Sequence, residues 1–127
     1  MNTPTQTPPV DRAASAEPAP SHFIQCRVPT ALYEWIRLQG FLTRRSMNSI
    51  ALAAVAAYRA EVEAARIAPE RGAPERAEIV KYNVRVDDDL HAWLRTTAFY
   101  ARTSINALAV AALARAHAAT AEREGAP

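Results

Sequence analysis

The chain is 127 residues long, 50% hydrophobic and 22% charged, which suits one ordinary domain or two small ones and excludes a disordered polymer. Its net charge of +2 and pI near 9.0 are too mild to identify a polyanionic partner, so the placement of charge has to decide that question. One cysteine rules out an internal disulfide, and the longest apolar run, Ile50 to Tyr58, is too short to span a bilayer.

Residues 1–21 are rich in Pro, Thr and Ala and poor in large apolar groups, so they cannot offset the entropy of ordering and are expected to be a disordered tail. The N-terminus has neither the positive region nor the apolar core of a secretory signal, which leads to an expected cytoplasmic location without a membrane partner. Phe23-Ile24-Gln25-Cys26-Arg27-Val28 alternates in the manner of a strand, and Pro29 stops it while suiting the start of a helix. The helix that follows carries Leu32, Trp35, Ile36, Leu38 and Phe41 at spacings of three and four, a pattern that assigns these side chains to the core.

Thr43-Arg44-Arg45-Ser46-Met47-Asn48-Ser49 then opens an alanine-rich helix running to about Ala65, with Ser46 as its N-cap. Free N–H groups and a positive dipole end at such a helix start also suit a phosphate, and Arg44, Arg45 and Asn48 add donors beside it. Residues 67–78, with Pro69, Gly72 and Pro74, have the composition of a linker and span roughly 40 Å if extended.

Lys81-Tyr82-Asn83-Val84-Arg85-Val86 is a second alternating strand, and it repeats the first at an offset of 58 without a gap. Arg27 falls on Arg85, Leu32 on Leu90, Trp35 on Trp93, Phe41 on Phe99, Ser46 on Ser104 and Asn48 on Asn106. The chain therefore reads as two copies of one module, over residues 22–66 and 79–122, with a short tail at 123–127. Asp87 replaces Pro29 and, with Asp88 and Asp89, can cap the following helix, a use these carboxylates serve more often than metal binding. Leu90, Trp93, Leu94, Ala98 and Phe99 again suggest a core face, and Arg102, Ser104 and Asn106 again gather at a helix start. The alanines of the second helix in each copy allow close approach, so these two helices should cross near the centre.

One copy is too small to stand alone, and pairing the two strands antiparallel solves this: Ile24, Cys26, Val28, Tyr82, Val84 and Val86 then face four helices. Lys81, Asn83 and Arg85 share the other face, and Arg, Lys and Asn are the side chains that best hydrogen-bond guanine and adenine edges. Phe23, in the place of Lys81, is expected to pack at the strand end. Cys26 should be a small core residue.

A strand, a helix and then a helix opening on Arg45-Ser46-Met47-Asn48 or Ser104-Ile105-Asn106 resembles the ribbon-helix-helix family, the Arc and MetJ class of bacterial DNA-binding proteins. The resemblance implies a mainly α fold, a tandem ribbon-helix-helix with two short antiparallel strands and four helices on one face. It also implies double-stranded DNA as partner, with Gln25, Arg27, Lys81, Asn83 and Arg85 reading bases. Arg44, Arg45, Ser46, Asn48, Arg102, Ser104 and Asn106 are the corresponding phosphate ligands. One chain is expected to form one pseudo-dimer with an asymmetric site, leaving room for a second chain on an adjacent site. A transcriptional repressor is the leading expectation. The alternatives are an accessory DNA-binding protein of plasmid transfer or partition, and an antitoxin. No enzyme, cofactor or metal is expected, because His22, His91 and His117 lack ligand spacing and no glycine-rich phosphate loop is present.

Overall fold

The computed structural model describes residues 21–69 and 78–125. The tail expected before Ser21, most of the expected linker (70–77) and the last two residues lie outside this description. Six elements follow in order: β1 (Ser21–Pro29), α1 (Thr30–Thr43), α2 (Met47–Glu63), β2 (Ile79–Asp87), α3 (Asp88–Ala101) and α4 (Ile105–Gly125). Both strands are longer than their alternating cores suggested, so Ser21 opens β1 and does not belong to the tail. At the other end, α4 continues past the expected stop at residue 122.

β1 and β2 form a two-stranded antiparallel sheet in which Gln25 stands opposite Asn83, Arg27 opposite Lys81 and Phe23 opposite Arg85. Ile24, Cys26, Val28, Val84 and Val86 are buried on one face, with Tyr82 half-buried beside them. That face and the helices share one core, to which α1 contributes Leu32 and Ile36, α2 Ile50, Val55 and Tyr58, α3 Leu94, and α4 Leu108 and Leu113. A lone two-stranded ribbon is marginal in water, so the helices packed on one face are what hold it. α2 packs on α4, and both helices bury small residues, Ala51 and Ala54 on one and Ala109 and Ala112 on the other, which let backbones come close.

The helix ends explain why the chain turns where it does. Pro29 offers α1 no side-chain cap, and the N–H and hydroxyl of Thr30 donate instead to the Glu78 carbonyl just ahead of β2. Asp87 caps α3 by accepting from the Leu90 N–H at 2.8 Å. Its neighbours are also engaged: Asp88 with His22 at 2.8 Å, and Asp89 with Arg59 at 2.9 Å. No cluster of three metal-ligating side chains occurs among the described residues. α1 ends at Arg44 and α3 at Arg102, both left-handed, with φ of 57° and 58°. Gly40 allows the first of these turns to fold tightly, since a Cβ there would lie 2.8 Å from the Arg45 carbonyl oxygen.

Those stops correct part of the expected core. Leu32, Ile36 and Gly40 mark the buried line of α1 at successive spacings of four, and Phe41 lies about 100° around the helix from Gly40. Phe41 and its counterpart Phe99 are accordingly 79% and 75% exposed, and Leu38 is also exposed. Trp35 and Trp93 are partly buried against the core, as their spacing indicated.

Cys26 is fully buried, and desolvation pushes its thiol up to about 11, which fits a packing residue and not a reactive one. Tyr82 makes an edge contact with Tyr33, and burial, followed by the nearby Cys26 and Tyr33, pushes its phenol up to about 12. Its hydroxyl is buried without a hydrogen-bond partner. Tyr82→Phe should therefore raise stability by about 1 kcal/mol in urea titration, because it removes a desolvated donor and leaves the ring packing intact. A loss of stability of that size would mean that the hydroxyl is satisfied in solution.

No helix among the described residues is long and apolar enough to cross a membrane.

Candidate nucleic-acid interface

The uncovered face of the ribbon presents Phe23, Gln25 and Arg27 from β1 and Lys81, Asn83 and Arg85 from β2, all exposed. All five expected base readers thus stand together on one surface, two strands wide. Three cations lie on it, Arg27, Lys81 and Arg85, and the carboxylate of Asp87 at the end of β2 is engaged in the cap of α3. Arg27 and Lys81 sit directly opposite each other, an arrangement that costs stability in a free ribbon because like charges face across the pair. Neither side chain makes an ion pair among the described residues.

Phe23 departs from its expected place. It is 67% exposed on the outer face, and the Arg85 guanidinium lies 5.5 Å from its ring centroid. The alternation of the strand, not the end of the core, decides its direction. The aromatic face attracts the cation and limits the directions in which Arg85 can reach. At the other end of the ribbon the corresponding partner is Lys81 against Arg27, so the two ends differ chemically.

Both expected N-caps form. The Ser46 hydroxyl accepts from the Ser49 N–H at 3.0 Å, and the Ser104 hydroxyl accepts from the Ala107 N–H at 2.9 Å. The first N–H groups of α2 and α4, from Met47, Asn48, Ile105 and Asn106, have no partner within their own helices. Arg45 folds over the first turn of α2, donating to the Ser49 hydroxyl at 2.9 and 3.2 Å and to its carbonyl at 3.2 Å. A guanidinium at the positive end of a helix is unfavourable by itself and becomes favourable with an anion between them. Arg44 and Arg102 are exposed at the turns before α2 and α4.

Asn48 and Asn106 have a use that local spacing did not reveal. The Arg85 N–H donates to Asn48 Oδ1 at 2.7 Å, and Asn48 Nδ2 donates to the Arg85 carbonyl at 3.2 Å. In the reciprocal position the Arg27 N–H donates to Asn106 Oδ1 at 2.7 Å. Each asparagine therefore satisfies an edge of the ribbon strand that belongs to the other half of the chain. Both polar atoms of the Asn48 side chain thus reach the strand, and Nδ2 keeps a second hydrogen. The contacts also lock each helix start to the outer edge of the ribbon, so that Ser46 flanks β2 and Ser104 flanks β1.

Asn48→Ala removes both bonds to Arg85 and should cost about 1–2 kcal/mol, measured by chemical denaturation. Asn48→Asp keeps one acceptor and should cost less. Equal losses for the two variants would show that the Nδ2 bond, not the shorter Oδ1 bond, carries the effect.

His22 and His91, remote in the sequence, stack at a centroid distance of 4.0 Å with 12° between their planes, at the end of the ribbon nearest α3. Desolvation and then the nearby His22 and Arg95 hold His91 below the ordinary histidine range, against a weaker pull from Asp88. Comparison with known protein families, with curated proteins and with solved structures gives no match for this chain.

Proposed function

We propose that the chain is a tandem ribbon-helix-helix protein that binds double-stranded DNA, laying its two-stranded ribbon in the major groove. The observation that carries this is the outer face itself. Gln25, Arg27, Lys81, Asn83 and Arg85 are exposed side by side, with Arg27 opposite Lys81 and neither in an ion pair among the described residues. A two-stranded ribbon has the width for a major groove of about 12 Å, and these are side chains that pair with guanine and adenine edges.

The tandem character is supported by the register. Gln25 faces Asn83, its own counterpart at the sequence offset of 58, which is the pairing a two-fold axis through the ribbon requires. The reciprocal contacts of Asn48 with Arg85 and Asn106 with Arg27 obey the same axis. The helix starts at Ser46 and Ser104 flank opposite ribbon edges and hold the phosphates on either side of the groove, assisted by Arg44, Arg45 and Arg102.

The axis is broken where Phe23 stands in place of Lys81 and Gln25 in place of Asn83. The preferred site is therefore asymmetric, unlike the palindrome of a dimer of identical strands. Occupation of such a site near a promoter excludes polymerase, so repression of transcription is the most direct consequence. The protein acts by binding, not catalysis, and in the cytoplasm, where duplex DNA is accessible.

The test is selection from a random duplex library with the purified full-length chain at a fixed salt concentration. The expected result is an enriched core motif with unequal halves. Binding without enrichment points to backbone contacts alone, and absence of binding at low salt overturns the proposal.

A further inference from the structure

Phe23 lies among polar side chains on the outer face of the ribbon and is 67% exposed there. The core does not account for it, because strand alternation turns its ring away from the buried Ile24 and Cys26. A single exposed aromatic needs no explanation by itself. This one has a partner of defined chemistry: Arg85 stands opposite it in the register, with the guanidinium 5.5 Å from the ring centroid.

The other end of the ribbon shows what the aromatic replaces. At the offset of 58, Lys81 stands where Phe23 does and Arg27 stands opposite it where Arg85 does. One end therefore offers two cations, and the other offers a cation beside an apolar ring. Exchanging a lysine for a phenylalanine removes a hydrogen-bond donor from that end and gives a surface that only an apolar group complements.

The edges of the bases in a major groove carry one such group, the C5 methyl of thymine, which 5-methylcytosine bears at the same position. The complement of an arginine on the same edges is guanine, through O6 and N7. Cross-strand partners in an antiparallel pair stand about 5 Å apart. Successive bases along a strand are about 3.4 Å apart, so two opposed side chains reach neighbouring base pairs.

We propose that Phe23 and Arg85 form one reading unit for a 5-methylpyrimidine beside a guanine, the ring covering the methyl group while the guanidinium bonds O6 and N7. The ring also steadies the guanidinium for that bond, since a cation over an aromatic face is held there by the ring quadrupole. The inference rests on the DNA-binding reading above and specifies its ligand at one end of the ribbon.

The test uses the full-length chain and the duplex it selects, with the guanine located as the position that Arg85→Ala relaxes. At the neighbouring base pair, duplexes with thymine or deoxyuridine, and with 5-methylcytosine or cytosine, differ within each pair by the methyl group alone. Wild-type chain should favour the methylated member of each pair by about fourfold, the effect of burying one small apolar group. The tighter of the thymine and 5-methylcytosine duplexes then identifies the source of the methyl group. Phe23→Ala should erase both preferences and retain selection of the guanine, with the fold intact because the ring lies outside the core. A ring that only steadied Arg85 would, when removed, weaken all these duplexes by one factor and leave the preferences in place, which overturns the inference. Wild-type binding that selects a motif but ignores the methyl group also overturns it and leaves the DNA reading standing. Absence of binding to any duplex overturns both.

Discussion

Arg85→Ala should weaken binding to a selected duplex by about 10- to 100-fold and relax selection at one base position, since a bidentate base contact is worth about 1–3 kcal/mol. Arg27→Ala should do the same at a position toward the other end of the motif. The two side chains lie on opposite sides of the central Gln25 and Asn83 pair, far enough apart for their effects to add in the double variant. Titration against matched and mismatched duplexes at several salt concentrations separates the roles. A base contact loses discrimination, whereas a phosphate contact weakens all sequences alike and lowers the salt slope by about one.

The same substitutions should have the opposite sign in the free protein. Arg27→Ala removes the like-charge opposition with Lys81 and should leave stability unchanged or raise it by a few tenths of a kcal/mol. A side chain whose loss helps the fold and harms the complex is held for the complex. If Arg27→Ala destabilised the free chain by more than 1 kcal/mol, the arginine would have to be counted as structural. Phe23→Ala provides an intermediate case. It frees the Arg85 guanidinium from the ring 5.5 Å away and should reduce affinity less than Arg85→Ala does.

The parts of this surface that depend on local periodicity were legible in the sequence. Alternation alone separates Ile24, Cys26 and Val28 from Gln25 and Arg27, because a strand has no other way to place successive side chains. The Ser46 and Ser104 caps were legible for a similar reason: a capping bond spans three residues. Phe41 and Phe99 were misjudged because spacings of three and four admit them to the core face, and repetition of the error in both halves made it look like support. Gly40 held the missing information. A glycine on the buried line shows that the turn, and not another side chain, fills the space beyond Ile36.

Asn48 and Asn106 were legible as important but not as strand anchors, since their partners lie 37 and 79 residues away. Local rules assign a polar residue beside a cap to solvent or to a ligand. Only the register of the ribbon brings the Arg85 and Arg27 peptides within reach. The stacked His22 and His91 escaped for the same reason, because they come from elements that meet only when the two halves pair.

That pairing makes the whole described structure one folding unit, and the equivalent residues Ile36 and Leu94 test it. Both are fully buried in the common core, one from α1 and the other from α3. Ile36→Ala and Leu94→Ala should each cost about 2–5 kcal/mol through lost contacts and the cavity left behind. If the halves folded separately, each variant would lower one of two transitions and leave the other in place. A shared core requires that either substitution lower a single transition, monitored alike by helix signal and by tryptophan fluorescence from Trp35 and Trp93. Because β1 pairs with β2 of the same chain, the midpoint should also be independent of protein concentration. A midpoint that rose with concentration would place the paired strand on a second chain. The DNA site would then consist of two like strands, and its expected asymmetry would be lost.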